Sequence, residues 1–194
     1  MPSPSAPRHV CVYCSSSAAV DHAHVQVARD LGAALAERGD VLVWGGATVG
    51  LMGEVARAAR AAGGRTIGVI PEALRAIEIA DQAADELIVT RDMLARKDEL
   101  ARRADAFVAL PGGFGTLEEL IEQLTGRLLG FHEKPIVLAD VDGFWQPLLE
   151  LFEHLYRERF ARPESRDAYA VAHDAAGIIA LLDAPPRPLP GKWL

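Results

Sequence analysis

The sequence predicts an α/β fold: a doubly wound, mostly parallel sheet of about seven strands flanked by helices. Short runs that are nearly continuous in apolar residues point to parallel strands covered on both faces. Longer stretches of helical periodicity separate those runs, so β and α units alternate along the chain. The size fits as well. A chain of 194 residues, 50% hydrophobic and 24% charged, suits one domain that needs no disulfide or metal to hold a core.

Each element follows in order. A lead-in of residues 1–8 precedes the first strand, His9–Tyr13. A helical pattern over 21–38 ends at Gly39, where glycine takes the left-handed conformation that closes a helix. Val41–Trp44 is the second strand, and the helix over 50–62 ends at Gly63 and Gly64. Strands over 66–70 and 86–89 come next, then a helix over 92–103. A strand over 106–110, a helix over 116–129, a strand over 135–139 and a helix over 145–159 follow. A strand over 169–172 and a short helix after Asp174 complete the pattern. Residues 9–183 thus read as one domain, and the proline-rich 184–194 as an extended tail. Such units join through right-handed crossovers. Ligands then bind beyond the carboxyl ends of the strands, which makes the loops after strands the places for chemistry.

Charge and composition narrow the function. Twenty basic against 27 acidic side chains leave a net charge of −7. A partner that is a nucleic-acid polymer calls for a basic excess, so none is expected. One small anionic ligand in a local basic pocket remains compatible with that charge. No apolar run approaches the roughly 20 residues of a membrane span, and the N-terminus MPSPSAPRH has no signal-peptide core. The expectation is a cytoplasmic protein with no membrane partner. The two cysteines, Cys11 and Cys14, lie too close together to staple distant parts of a fold. As a zinc site they would need two more ligands, and the spacing of His9, His22 and His24 matches no familiar one. No metal is expected.

Three strand ends stand out. Tyr13 leads into Cys14 and then Ser15, Ser16 and Ser17. Trp44 leads into Gly45 and Gly46, with Gly50 and Gly53 following. Leu110 leads into PGGFGTLEE, with Gly112, Gly113 and Gly115 ahead of a helix that is expected to start near Thr116. Glycine lets backbone N–H groups approach a ligand, and a helix start adds free donors and partial positive charge. Together these suit a phosphate; the plainer alternative is a tight structural turn. Neither loop carries the Lys-Ser/Thr pair of an NTPase P-loop or the spaced GxGxxG fingerprint of a dinucleotide site.

The pair Arg96-Lys97 follows the fourth strand in a highly charged segment, and reads either as an anion site or as a solvated basic pair. Thr116-Leu117-Glu118-Glu119 fits a capping box. Helical phase places Leu117, Leu120, Ile121, Leu124 and Leu128 on the core stripe, with Glu119 almost opposite. Glu118 and Thr125 share one flank. Spacing alone leaves Glu118 and Glu119 equally open as the reactive carboxylate.

At these residues the sequence resembles the LOG ("lonely guy") family, cytokinin riboside 5′-monophosphate phosphoribohydrolases whose members often carry the label lysine decarboxylase. PGGFGTLEE looks like the family's PGGxGTxxE signature. The likeness extends through CVYCSSS, WGGATVGLMGEVA, IGVIPEAL, RKDEL and KPIVLADVDGFW, over residues 11–183. It implies a Rossmann-like domain that hydrolyses the N-glycosidic bond of a nucleoside 5′-monophosphate, releasing an adenine-type base and ribose 5-phosphate without a cofactor. By the same likeness Arg96 and Glu119 are the essential catalytic pair. Nucleotide contacts fall on Glu78, Lys97, Gly113, Phe114, Gly115, Thr116, Leu117, Glu118 and Thr125. Ser15, Ser16, Gly45 and Gly46 join them from the other two loops. A homodimer, with the active sites near its interface, is also implied.

Some positions depart from the family pattern: Cys14 and Ala47 stand at usual glycines, Leu94 at a frequent histidine, and Glu72 at a frequent lysine. They bear on base preference and affinity rather than on the catalytic pair. In the expected mechanism Glu119 is ionised, kept so by a nearby arginine, and stabilises an oxocarbenium-like sugar while activating water. Two rival readings share the same loops: a nucleotide sensor without turnover, and a general AMP nucleosidase. A true decarboxylase would need a lysine for a pyridoxal phosphate Schiff base, and Lys97 and Lys134 are the only lysines inside the domain.

Overall fold

The computed structural model describes residues 7–75 and 80–189. Its strands are β1 (His9–Tyr13), β2 (Val41–Trp44), β3 (Thr66–Pro71), β4 (Glu86–Thr90), β5 (Ala106–Ala109), β6 (Ile136–Ala139) and β7 (Ala170–Ala172). The longer helices are α1 (His22–Glu37), α2 (Gly50–Ala61), α4 (Met93–Arg103), α5 (Phe114–Leu128), α6 (Gln146–Arg157) and α7 (Ala175–Asp183). The sequence did not predict the one-turn helix α3 (Glu72–Arg75) or the 3₁₀ turns Val141–Gly143 and Pro163–Ala168. Each is too short to show a period.

The seven strands lie in the order β4-β3-β2-β1-β5-β6-β7, every neighbouring pair parallel, so the doubly wound reading holds. Strand β1 is at the centre; Val10 pairs with Leu42 on one side and Ala106 on the other. Alternation along β1 explains why a continuous apolar run was required. Val10 and Val12 enter one core with Leu31 and Leu35 of α1, Val55 of α2 and Ile178 of α7. Cys11 and Tyr13 enter the opposite core with Leu100 of α4, Leu120 of α5 and Phe152 of α6. Each fully buried aliphatic side chain contributes about 1.5–3 kcal/mol, so the sheet is held from both faces.

Helices α1 and α2 pack closely because of Gly32. A Cβ there would lie 2.3 Å from the Val55 carbonyl oxygen. Both ends of the described chain make contacts with the domain. The Arg8 side chain bonds the Leu182 carbonyl and Asp183. The buried Arg127 of α5 donates to the carbonyls of Ala168 and Arg187, each at 3.0 Å.

Helix α5 departs from its expected start. It begins at Phe114, with Gly113 as its N-cap residue and no side-chain cap. Thr116 is therefore inside the helix and the capping box does not form. Thr116 instead folds over Gly112, where a Cβ would meet its Oγ1 at 2.1 Å. The buried face of α5 is also rotated from the expected stripe. Thr116, Glu119, Leu120, Gln123, Leu124 and Arg127 are buried, while Ile121 is 40% exposed. Glu119 is on the inward face, not opposite it.

Candidate functional site

Strands β1 and β5 are neighbours, yet β1 leads toward β2 on one side and β5 toward β6 on the other. Their loops diverge, and a crevice opens at that switch point. Its volume is about 430 Å³. Tyr13, Cys14, Ser15, Ser16 and Ser17 wall it from β1, Gly45 from β2, and Gly113 to Thr116 from the start of α5. Arg96, Glu118 and Glu119 complete the polar lining.

The three loops brace one another through backbone groups. Ser15 N–H donates to the Pro111 carbonyl at 3.1 Å, and Leu51 N–H donates to the Ser15 carbonyl at 3.0 Å. Gly50, at φ +56°, lets the second loop lie against the serines: a Cβ would meet their backbone at 2.5–2.7 Å. Gly113 and Gly115 have no such structural reason. An added Cβ would meet nothing within 4 Å at either. They leave the first turn of α5 bare, where helix N–H groups have no intrahelical partner.

Arg96 and Glu119 meet on the crevice floor, each 8% exposed. Arg96 projects from α4 across the ends of β2 and β3. Its Nε donates to the Val69 carbonyl at 3.2 Å and its Nη2 to the Gly45 carbonyl at 3.4 Å. Its Nη1 lies 3.9 Å from Glu119 Oε1. Burial pushes the Glu119 carboxyl up to about 7; Arg96 and Lys97 oppose the rise, and Glu118 and Glu122 add to it. The expectation that a nearby arginine keeps Glu119 ionised is thus corrected. Desolvation of the carboxylate outweighs an attraction acting over 3.9 Å.

The other expected residues divide. Ser15, Ser16, Gly45, Gly113, Phe114, Gly115, Thr116 and Glu118 line the crevice with the pair, Phe114 being 92% exposed at its mouth. Lys97 does not reach it: its Nζ is held by Glu118 and, at 3.2 Å, by Glu122. Leu117 packs against the core beneath α5. Gly46, at φ +75°, forms a turn whose carbonyl accepts from Asp81 N–H at 2.8 Å. Thr125 lines a separate groove with Lys97, Ile121, Leu129 and Phe131. Glu78 lies outside the described residues. The crevice also takes in Met52, Leu74 and Met93, which the sequence reading missed. Met52 and Met93 each fall in the first turn of a helix after a strand, a position that marked them.

Cys11 and Cys14 are free, and they enter opposite cores because they alternate along the strand direction. Burial pushes both thiols up. Among the described residues, no group of three or more His, Cys, Asp or Glu side chains could hold a metal ion. Nor is any helix there long and apolar enough to cross a membrane.

Comparison with known proteins matches a family described as "Possible lysine decarboxylase" over residues 52–182. The probable cytokinin riboside 5′-monophosphate phosphoribohydrolase LOGL2 of Oryza sativa subsp. japonica is 43% identical over 176 residues, 91% of this chain and 72% of that one. The phosphoribohydrolase LOG5 of Arabidopsis thaliana is 40% identical over 177 residues, 91% and 78% of the two chains. Among solved structures, the molybdenum cofactor binding protein of Rippkaea orientalis superposes with a TM-score of 0.72 at 26% identity, covering 91% of this chain and 95% of that one.

Proposed function

The chain belongs to the LOG family of phosphoribohydrolases, and from that premise we propose that it hydrolyses cytokinin riboside 5′-monophosphates, and AMP, to the free base and ribose 5-phosphate. The observation that carries this reading is the buried pair of Arg96 and Glu119 beside a bare, glycine-lined helix start. Cleavage of an N-glycosidic bond builds positive charge on the sugar and needs an activated water. A carboxyl near 7 is matched to taking a proton from that water at neutral pH. In its ionised form Glu119 also stabilises the cation.

The first turn of α5 would take the 5′-phosphate through the backbone N–H groups around Gly113 and Gly115, with Ser15 and Ser16 opposite. A helix terminus contributes only about 0.3–1 kcal/mol, so Arg96 supplies further attraction by charge-assisted hydrogen bonds. Phe114 and Met93 offer apolar surface for the base at the mouth.

Decarboxylation of lysine fits the residues poorly. Lys97 is held between two glutamates, Lys134 Nζ donates to the Ala101 carbonyl at 2.7 Å, and neither lines the crevice. The reading includes a cytoplasmic homodimer with residues 9–183 as its domain. Exposed Ile121, Leu129 and Phe131 around Thr125 support a self-contact on the outer face of α5.

Incubation with AMP and with isopentenyladenosine monophosphate, followed by chromatography of free base, tests the proposal. Release from both is expected. Release from AMP alone would remove the cytokinin substrate, and release from neither would leave a nucleotide-binding module without turnover.

A further inference from the structure

Four consecutive carbonyls after β2 each accept from a different part of the chain. Gly45 accepts from Arg96 Nη2 at 3.4 Å and Gly46 from Asp81 N–H at 2.8 Å. Ala47 accepts from the Trp44 indole at 3.3 Å and Thr48 from Arg57 Nη1 at 3.0 Å. Gly46 turns at φ +75° and its backbone lies against β3, where a Cβ on Gly68 would meet Gly46 Cα at 2.9 Å. The Gly45 carbonyl meets the guanidinium only while this turn keeps its shape.

Asp81 is itself locked. Its carboxylate is buried and accepts from Arg60 Nη2 at 2.8 Å and from Ala83 N–H at 3.0 Å. Beside it Ala80 bridges to Ala47. Arg60 reaches it from the last turn of α2. Neither Arg60 nor Asp81 lines the crevice. Direct contacts nonetheless run from Arg60 through Asp81 to Gly46, then from the adjoining Gly45 to Arg96 and on to Glu119.

Stability alone is a weak reason for such a pair. Taking two charges out of water commonly costs as much as their attraction returns, and apolar side chains of similar size hold a fold as well. Arg60 Nη1 is also buried without a hydrogen-bond partner among the described residues. What apolar side chains lack is direction. We propose that Asp81, locked by Arg60, is a positioning residue for the reaction: its N–H fixes the Gly45-Gly46 turn, and through that turn it holds the Arg96 guanidinium beside Glu119. This rests on the reading of Arg96 and Glu119 as the catalytic pair.

The test compares three variants of the full chain. Asp81→Ala removes both side-chain bonds, and the milder Asp81→Asn keeps an acceptor for Ala83 N–H. Asp85→Asn is the control: Asp85 also precedes β4, but its carboxylate accepts from Thr66 N–H at 2.8 Å and the Thr66 hydroxyl at 2.9 Å, not from the turn. Two readouts are taken well below each melting temperature. One is kcat/KM with AMP. The other is the Arg96 Nε–H signal in nitrogen-15 NMR of arginine-labelled protein, assigned by its loss in Arg96→Lys. Asp81→Ala should lower kcat/KM about tenfold, short of the roughly 100-fold of a 1 Å misplacement, and move the Arg96 signal. Asp81→Asn should do both to a smaller extent. Asp85→Asn should lower the melting temperature and do neither. Arg60→Met combined with Asp81→Ala leaves neither charge of the pair unpartnered, so it should melt above Asp81→Ala while its activity stays low. Activity that recovers together with the melting temperature would overturn the proposal and reduce the pair to a stability role. Wild-type kcat/KM with an unmoved Arg96 signal in Asp81→Ala would overturn it too, as would an equal loss of activity in Asp85→Asn. A wild-type protein that releases no base defeats the enzyme reading instead. The Arg96 signal then decides the positioning by itself: movement in Asp81→Ala and not in Asp85→Asn supports it, and any other pattern overturns it.

Discussion

Gly45 and Arg96 compete for one volume: a Cβ on Gly45 would stand 2.2 Å from Arg96 Nη2. The glycine after β2 is there to admit a guanidinium. It also presents the carbonyl that the guanidinium bonds. Gly45→Ala should fold, because the obstructed atoms are the far end of a side chain, but it should displace Arg96 from Glu119. A misplacement of about 1 Å at a reacting site can lower the rate about 100-fold. Steady-state kinetics beside a melting curve checks this, and wild-type kcat/KM in the variant would contradict it.

Glu119→Gln removes the proton acceptor and keeps the shape. Base release should fall about 100- to 10,000-fold, the range for a positioned general base. Nucleotide binding, followed by calorimetry with AMP, should persist. Near-normal release would reject the assignment.

The same substitution should change how stability depends on pH. Burial raises the folded-state carboxyl from 4.5 to about 7. A raised carboxyl binds its proton more tightly in the folded than in the unfolded chain. Its contribution is therefore fully present below about 4.5 and is lost as pH rises through about 7. At one pKa unit per 1.36 kcal/mol, the loss is of order 3 kcal/mol at most. Urea unfolding at intervals from pH 4.5 to 8 should show wild-type stability declining relative to Glu119→Gln. Parallel curves would show that the carboxyl is not raised.

Arg96→Ala should abolish most activity and push Glu119 further up, because the nearest cation is gone. Whatever base release survives should have its acid limb displaced to higher pH. A variant with a wild-type profile would mark Arg96 as merely structural.

Gly32→Ala tests packing away from the crevice. Alanine favours a helix by up to about 1 kcal/mol over glycine. Its Cβ would nonetheless meet the Val55 carbonyl at 2.3 Å, and overpacking typically costs about 1–3 kcal/mol. A lower melting temperature with unchanged KM is expected.

What the sequence made legible follows physical lines. Strands β1, β2 and β5 declared themselves because strands covered on both faces are nearly continuous in apolar residues. The switch-point loops followed from their position after those strands. Helix α5 was harder. Its buried face carries Thr116, Glu119, Gln123 and Arg127, whereas Ile121 and Leu129 are exposed. A stripe drawn through apolar residues finds Leu120 and Leu124 but misses the polar half of the buried face, and it set Glu119 outside. Arg96 stayed open between an anion site and a solvated pair until the family likeness singled it out, since a charged run from Arg91 to Glu99 looks solvated throughout. The geometry adds that this arginine turns inward to the carbonyls of Val69 and Gly45. Composition cannot identify a buried charge whose partners are backbone carbonyls and a distant carboxylate.

The central place of β1 has a consequence for how the molecule comes into being. Val10 must wait for Leu42 on one flank and for Ala106 on the other. Parallel pairing over such separations closes large loops before it gains contacts, which slows folding. During synthesis, β1 emerges before both of its neighbours and stays half-partnered until β5 has left the ribosome. The seam where nucleotide would bind is the join between the two halves of the sheet. A ligand present at that moment would favour the closed join by mass action.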